Sequence, residues 1–134
     1  MSVLVDTSVW SLALRRHQPI NDPAVSELRR LIQADQVQMI GPIRQELLSG
    51  IREKAQFEKL QKHMRAFPDL PLSTADYENA AGFFNISRSH GIQGSYTDFL
   101  ICAAAVNNNL PILTTDKDFQ LFQTHLPITL QQWT

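Results

Sequence analysis

Residues 97–119 read TDFLICAAAVNNNLPILTTDKDF. An acid precedes eight unbroken apolar residues; after a polar break comes a short apolar piece, then two aspartates one residue apart. A helix that is apolar on every side is buried, so FLICAAAV predicts an internal helix over roughly 96–108. The piece PIL (111–113) between a break and a turn signal reads as a buried strand. A buried helix feeding a buried strand is the building unit of a sheet covered by helices.

The same alternation extends outward in both directions. SVLV (2–5) and VQMI (37–40) read as strands, LPL (70–72) is strand-like, and ITL (128–130) offers a fifth. Helical spacing fills the intervals. Trp10, Leu12 and Leu14 share one stretch. Asp22 supplies an N-cap, with Pro23 at the first helical position before Val25, Leu28 and Leu31. Pro42 opens a helix that Gly50 closes. Phe57, Leu60, Met64 and Phe67 mark a longer one, and Ser73 with Asp76 forms a capping box for another that runs to about Gly91. Strands separated by helices cannot be hairpins, so the pattern predicts a mainly parallel sheet flanked by helices. In such folds chemistry collects beyond the carboxyl ends of the strands. Asp6 follows the first strand and Asp116 the fourth.

Length and composition bound the rest. At 134 residues the chain is expected to form one domain spanning 1–134, with a core large enough to need no staples. The lone Cys102 excludes an internal disulfide framework, and His17, His63, His90 and His125 lack zinc-ligand spacing. This pattern suits a reducing cytoplasm. No basic leader precedes SVLVD, and FLICAAAV is too short to span a bilayer, so neither secretion nor membrane insertion is expected. A net charge of −1 argues against a protein held to nucleic acid by global basicity. Residues 44–65 nevertheless carry Arg44, Arg52, Lys54, Lys59, Lys62 and Arg65 against Glu46, Glu53 and Glu58. That stretch is either a solvated helical face or a basic wall beside an anionic substrate.

Four acids occupy costly places. Asp98 stands in the first turn of the internal helix, where it either forms a box with Ser95 or serves a site. Burial favours a site, because an internal carboxylate needs a counter-charge or a metal. Glu46 follows the spacing of Ile43, Leu47 and Gly50, which predicts that it faces inward. Asp6 is an N-cap or a ligand, and Asp116 and Asp118 are turn residues or ligands. No Lys or Arg lies within those apolar segments to neutralise them. Clustered carboxylates repel one another and some take up protons, unless a hard divalent cation resolves the conflict. Magnesium and manganese prefer such oxygen ligands, and a carboxylate-held metal suits phosphodiester hydrolysis. Setting those four acids aside leaves twelve basic against nine acidic residues, a mildly basic surface for an anionic polymer.

With these residues in view, the sequence resembles the PIN-domain nucleases, most closely the VapC-type toxins of bacterial toxin–antitoxin pairs. VLVDTSVW is similar to the family's opening strand, with its first acid at Asp6 and a small hydroxyl residue at Ser8. PIRQELLSG is similar to the helix carrying the second acid, Glu46. TDFLICAAAVNNNLPILTTDKDF is similar to the longest signature, with the third acid Asp98, Thr114, the fourth acid Asp116 and an accessory Asp118. One departure lies at Tyr96 and Thr97, where the family often has small residues.

The resemblance implies a three-layer α/β/α sandwich with a mainly parallel central sheet, and a metal-dependent endoribonuclease acting as a toxin. Asp6, Asp98 and Asp116 would hold Mg2+ or Mn2+, and Glu46 would hold a second metal or orient the attacking water. Ser8 and Thr114 would brace the carboxylates. Asp118 would assist or cap the short helix near Phe119. The implied partners are an RNA substrate, a cognate antitoxin entering the active-site groove, and a second copy of the chain in a homodimer or a larger assembly with antitoxin. Two other readings stand beside this one. A different magnesium phosphoryl-transfer enzyme is disfavoured because Ser8 stands where a haloacid-dehalogenase-type phosphatase needs its second Asp. A non-catalytic PIN-like module binding RNA or protein is disfavoured by the retention of all four acids.

Overall fold

Every residue of the first strand, β1 (Val3–Val5), is buried, and its short apolar side chains suit a strand covered on both faces. The computed structural model describes residues 1–14 and 21–133, so His17 lies outside the described residues. After β1 come α1 (Thr7–Ala13), α2 (Pro23–Gln33), β2 (Val37–Gln38), α3 (Gly41–Leu48) and α4 (Lys54–Met64). The chain continues through α5 (Thr74–Ser89), α6 (Tyr96–Asn107), β3 (Ile112–Leu113) and α7 (Asp118–Gln123). The sheet order is β2-β1-β3, with both pairings parallel. Val3 faces Val37, and Leu4 faces Ile112. Packed between helices, this sheet makes the expected α/β sandwich.

The two outer strands are shorter than their sequence suggests. LPL forms no ladder: the residue before it, Asp69, makes a parallel bridge to Met39, and Leu70 donates its N–H to the Met39 carbonyl at 2.8 Å. ITL contributes only the bridge between Ile112 and Leu130. Pro71 lies within the first piece and Pro68 and Pro127 beside the two, and proline has no N–H to give a ladder. The helix starts follow their local chemistry. Asp22 accepts the Ala24 N–H at 2.8 Å, and the Ser73–Asp76 box closes in both directions. Helix α3 stops at Leu48, and Gly50 takes φ +88°, a left-handed turn that favours glycine.

The core gathers on α6, where Phe99, Ile101, Cys102, Ala103, Ala104 and Ala105 are all buried. Helix α5 packs along it: Phe84 meets Phe99 edge-on with centroids 5.6 Å apart. Asn107 on α6 donates to Asp76 on α5 at 2.6 Å. Trp10 and Phe119 are core residues, whereas Phe57, Phe83 and Phe84 are half-buried. Burial pushes the Cys102 thiol far above the usual range, aided by the charges of Asp98 and Asp6, so it is an inert core group. Among the described residues no helix is long and apolar enough to cross a membrane.

Candidate functional site

Parallel pairing sends the ends of β1 and β3 to the same edge, and the acids that follow them meet there. Asp6 completes the ladder, donating its N–H to the Leu113 carbonyl at 2.8 Å. Its own carbonyl accepts from Val9 and Trp10 at the start of α1. The carboxylate takes no part in capping that helix. Instead Asp6 Oδ2 accepts the Ser8 hydroxyl at 2.7 Å and the Thr114 hydroxyl at 2.8 Å.

Those hydroxyls extend the network. Ser8 Oγ accepts the Thr115 N–H at 3.1 Å, and Thr114 Oγ1 accepts the Asp116 N–H at 3.0 Å. Each hydroxyl therefore spends its single proton on Asp6 and takes a backbone N–H in return. Asp116 Oδ1 accepts the Asp118 N–H at 2.9 Å. The cap beside α7 is thus made by the Asp116 side chain, while the Asp118 carboxylate is exposed.

Asp98 reaches the cluster from α6. It closes a capping box, receiving the Ser95 N–H on Oδ2 and giving its own N–H to Ser95 Oγ, each at 3.0 Å. The capping-box reading of Asp98 is met, and the residue is also half-buried, within reach of the charges of Asp6 and Asp116. Burial holds its carboxyl above the usual range; the charges of Asp6 and Asp116 push the same way, and the Ser95 bonds oppose them. Gly94 sets the approach to this helix. A Cβ there would stand 2.7 Å from the Phe122 ring, so only glycine passes.

Glu46 corrects the sequence reading. Ile43 and Leu47 turn inward as expected, but Glu46 is exposed, lying about 100° around the helix from Leu47. It is still tied to the site: Thr7, next to Asp6, donates to Glu46 Oε1 at 2.7 Å. Thr7 is the residue the sequence reading missed. Its place in DTS, between the two residues already singled out, was the available signal.

One pattern unites the four acids. In each, one oxygen is fixed by the protein: Asp6 Oδ2, Glu46 Oε1, Asp98 Oδ2 and Asp116 Oδ1. The other oxygen of each has no hydrogen-bond partner among the described residues, and none of the four forms an ion pair there. Among the described residues no three His, Cys, Asp or Glu side chains form a group that could hold a metal ion. The donor set nevertheless fits a hard cation: all oxygen, oriented, negatively charged and, among the described residues, in no ion pair.

The basic stretch 44–65 divides. Arg44 is half-buried and structural, pairing with Asp69 at 2.9 Å and donating to the carbonyls of Met64 and Phe67. Arg52, Lys54, Lys59, Lys62 and Arg65 are exposed. Lys59, Lys62 and His63 line a cleft of about 840 Å³ with Leu14, Leu47 and Leu60. None of the four acids lines that cleft, which flanks the site through α3.

The parallel sheet between helices, with acids beyond its strand ends, agrees with what the resemblance to PIN domains implies. A PIN domain model matches residues 3–123, and the chain belongs to the PIN-domain family. It is 32% identical over 123 residues to a VapC ribonuclease of Mycobacterium bovis and, equally, to Ribonuclease VapC11 of Mycobacterium tuberculosis. Each match covers 89% of this chain and 90% of the relative. Among solved structures, FitAcB from Neisseria gonorrhoeae superposes with a TM-score of 0.76 at 23% identity, covering 97% of this chain and 96% of the other. VapBC2 from Rickettsia felis, bound to a DNA fragment from their promoter, gives 0.78 at 18% identity and covers both chains fully. These structural likenesses bear on the fold, and the expected kinship with VapC-type PIN domains is borne out.

Proposed function

We propose that this chain is a metal-dependent endoribonuclease that hydrolyses RNA phosphodiester bonds and acts as the toxin of a toxin–antitoxin pair. The observation that carries this reading is the set of half-committed carboxylates, each holding one oxygen still and offering the other. The ribonuclease names of the mycobacterial relatives support the reaction class.

In this reading Asp6, Asp98 and Asp116 hold Mg2+ or Mn2+, and Glu46, steadied by Thr7, holds a second metal or orients the attacking water. Such a cation, when bound, lowers the pKa of water and offsets charge gathering on the phosphate. Ser8 and Thr114 hold one oxygen of Asp6 and so fix its other oxygen in direction. The Asp118 N–H does the same for Asp116, and its exposed carboxylate is accessory. A cognate antitoxin entering the active-site groove is the proposed protein partner, supported by the VapBC and FitAB complexes of the same fold. The chain acts as a homodimer, or in a heterotetramer or larger assembly with antitoxin, in the cytoplasm.

The test is cleavage of total RNA with Mn2+ or Mg2+, comparing wild type with Asp6→Asn. Cleavage that requires the metal and disappears in a folded Asp6→Asn chain supports the reading. A wild-type chain that binds RNA without cutting it supports the non-catalytic module instead.

A further inference from the structure

Trp133 lies outside the span matched by the PIN model, and its bond to the acid-bearing strand end has a distinctive register. The segment carrying it runs parallel to β3. Ile112 donates its N–H to the Thr129 carbonyl, and Gln131 donates its N–H to the Ile112 carbonyl, both at 2.8 Å. In a ladder of this kind the next outward carbonyl lies two residues on, at Thr114, and its register partner is residue 133. Its partner there is a side chain: the indole Nε1 of Trp133 donates to the Thr114 carbonyl at 3.2 Å.

That carbonyl belongs to a peptide unit gripped at both ends. The Thr114–Thr115 peptide is planar, so its C=O and N–H turn together. Trp133 holds the C=O, and Ser8 Oγ accepts the N–H. Ser8 in turn donates to Asp6. The same Thr114 directs its own hydroxyl onto Asp6 and supports the Asp116 N–H.

We propose that Trp133 is a positioning residue for the acid cluster: by holding the Thr114 carbonyl it sets the tilt of the 114–115 peptide, and so the aim of the two hydroxyls that orient Asp6. This rests on the metal-nuclease reading above. A ring that merely filled space would leave the peptide free to turn, and the two roles separate experimentally.

The test uses the full chain with Trp133→Phe, which keeps a ring and removes the N–H, and Trp133→His, which restores a ring N–H. Amide hydrogen exchange at Thr115, Mn2+ affinity by calorimetry, kcat and KM on RNA, and Tm are measured. In Trp133→Phe, Thr115 exchange accelerates; the Mn2+ Kd rises and kcat falls, each by about three- to tenfold, as suits one neutral hydrogen bond acting through an outer layer. KM stays unchanged, and Trp133→His recovers part of the loss. Wild-type Thr115 exchange and Mn2+ affinity in Trp133→Phe overturn the proposal whatever happens to Tm, as does equal impairment of both variants. A wild-type chain that binds no Mn2+ overturns the nuclease reading and this proposal with it. Normal binding by both wild type and Trp133→Phe removes the role of Trp133 alone.

Discussion

The Thr114 hydroxyl donates to Asp6 at 2.8 Å while accepting the Asp116 N–H at 3.0 Å, so one side chain joins the acid after β1 to the acid after β3. Thr114→Val keeps the shape and removes both bonds. Asp6, 4% exposed, loses one of its two hydroxyl donors, and the Asp116 N–H loses its acceptor. Leaving buried polar groups unpaired costs about 1–3 kcal/mol, which thermal unfolding would register as a lower Tm. Cleavage falls by roughly 10- to 100-fold, the usual effect of removing a residue that orients a ligand. Thr114→Ser restores both. A stable Thr114→Val chain cutting RNA at the wild-type rate contradicts the arrangement.

Asp98 gives a pH-dependent prediction of the opposite sign. Burial, then the charges of Asp6 and Asp116, hold its carboxyl above the usual range against the pull of Ser95. A group raised in this way contributes stability below its unfolded pKa and loses it as pH rises through the folded one. Metal-free Asp98→Asn is therefore more stable than wild type at neutral pH. The difference closes on acidification through the ordinary carboxylate range. Melting curves in chelator across that range decide the matter; a neutral-pH Tm below wild type would show that the repulsion is not felt.

Metal binding should reverse that order. A cation that binds only the folded chain adds about 2.7 kcal/mol when present at about 100 times its Kd. Mn2+ should thus raise the wild-type Tm, chelator should reverse the rise, and Asp6→Asn or Asp98→Asn should lose most of it. Differential scanning fluorimetry with and without Mn2+ is sufficient. An identical rise in wild type and Asp6→Asn would place the cation elsewhere.

These residues also show what a sequence discloses and what it withholds. Asp22 with Pro23 and Ser73 with Asp76 were legible because a cap is chemistry between residues a few positions apart. The order of strands and helices was legible because hydrophobic period is local as well. The outer strands were over-read, since pairing depends on donors that the neighbouring prolines lack. Glu46 was given the wrong face because Ile43, Leu47 and Gly50 fit the same spacing, and only the packed helix shows which side the core takes. Thr7 escaped assignment because its bond goes to a residue 39 positions away. Asp6, Asp98 and Asp116 stood out because a carboxylate beside apolar sequence needs compensation wherever its partner lies.

Asn107 tests whether the α5–α6 junction is separable from the site. Its amide donates to Asp76 Oδ1 at 2.6 Å and accepts from Asn79 at 3.0 Å, while Ser73 holds Asp76 Oδ2 through its backbone N–H at 2.8 Å. Burial pushes the Asp76 carboxyl up, but the Ser73 backbone, Asn107 and Ser73 hydroxyl bonds outweigh it and leave the group below its usual range. A depressed pKa contributes stability above the unfolded value, lost as pH falls through the folded one. Asn107→Ala therefore costs about 1–3 kcal/mol at neutral pH, because it strips a buried carboxylate of a donor. The penalty shrinks in acid, where Asp76 is protonated in both chains. Cleavage per folded molecule stays at the wild-type level, since none of the four site acids bonds to Asn107. A loss of cleavage in folded Asn107→Ala would mean that the junction reaches Asp98 through α6, and denaturant titration run beside the nuclease assay separates the two.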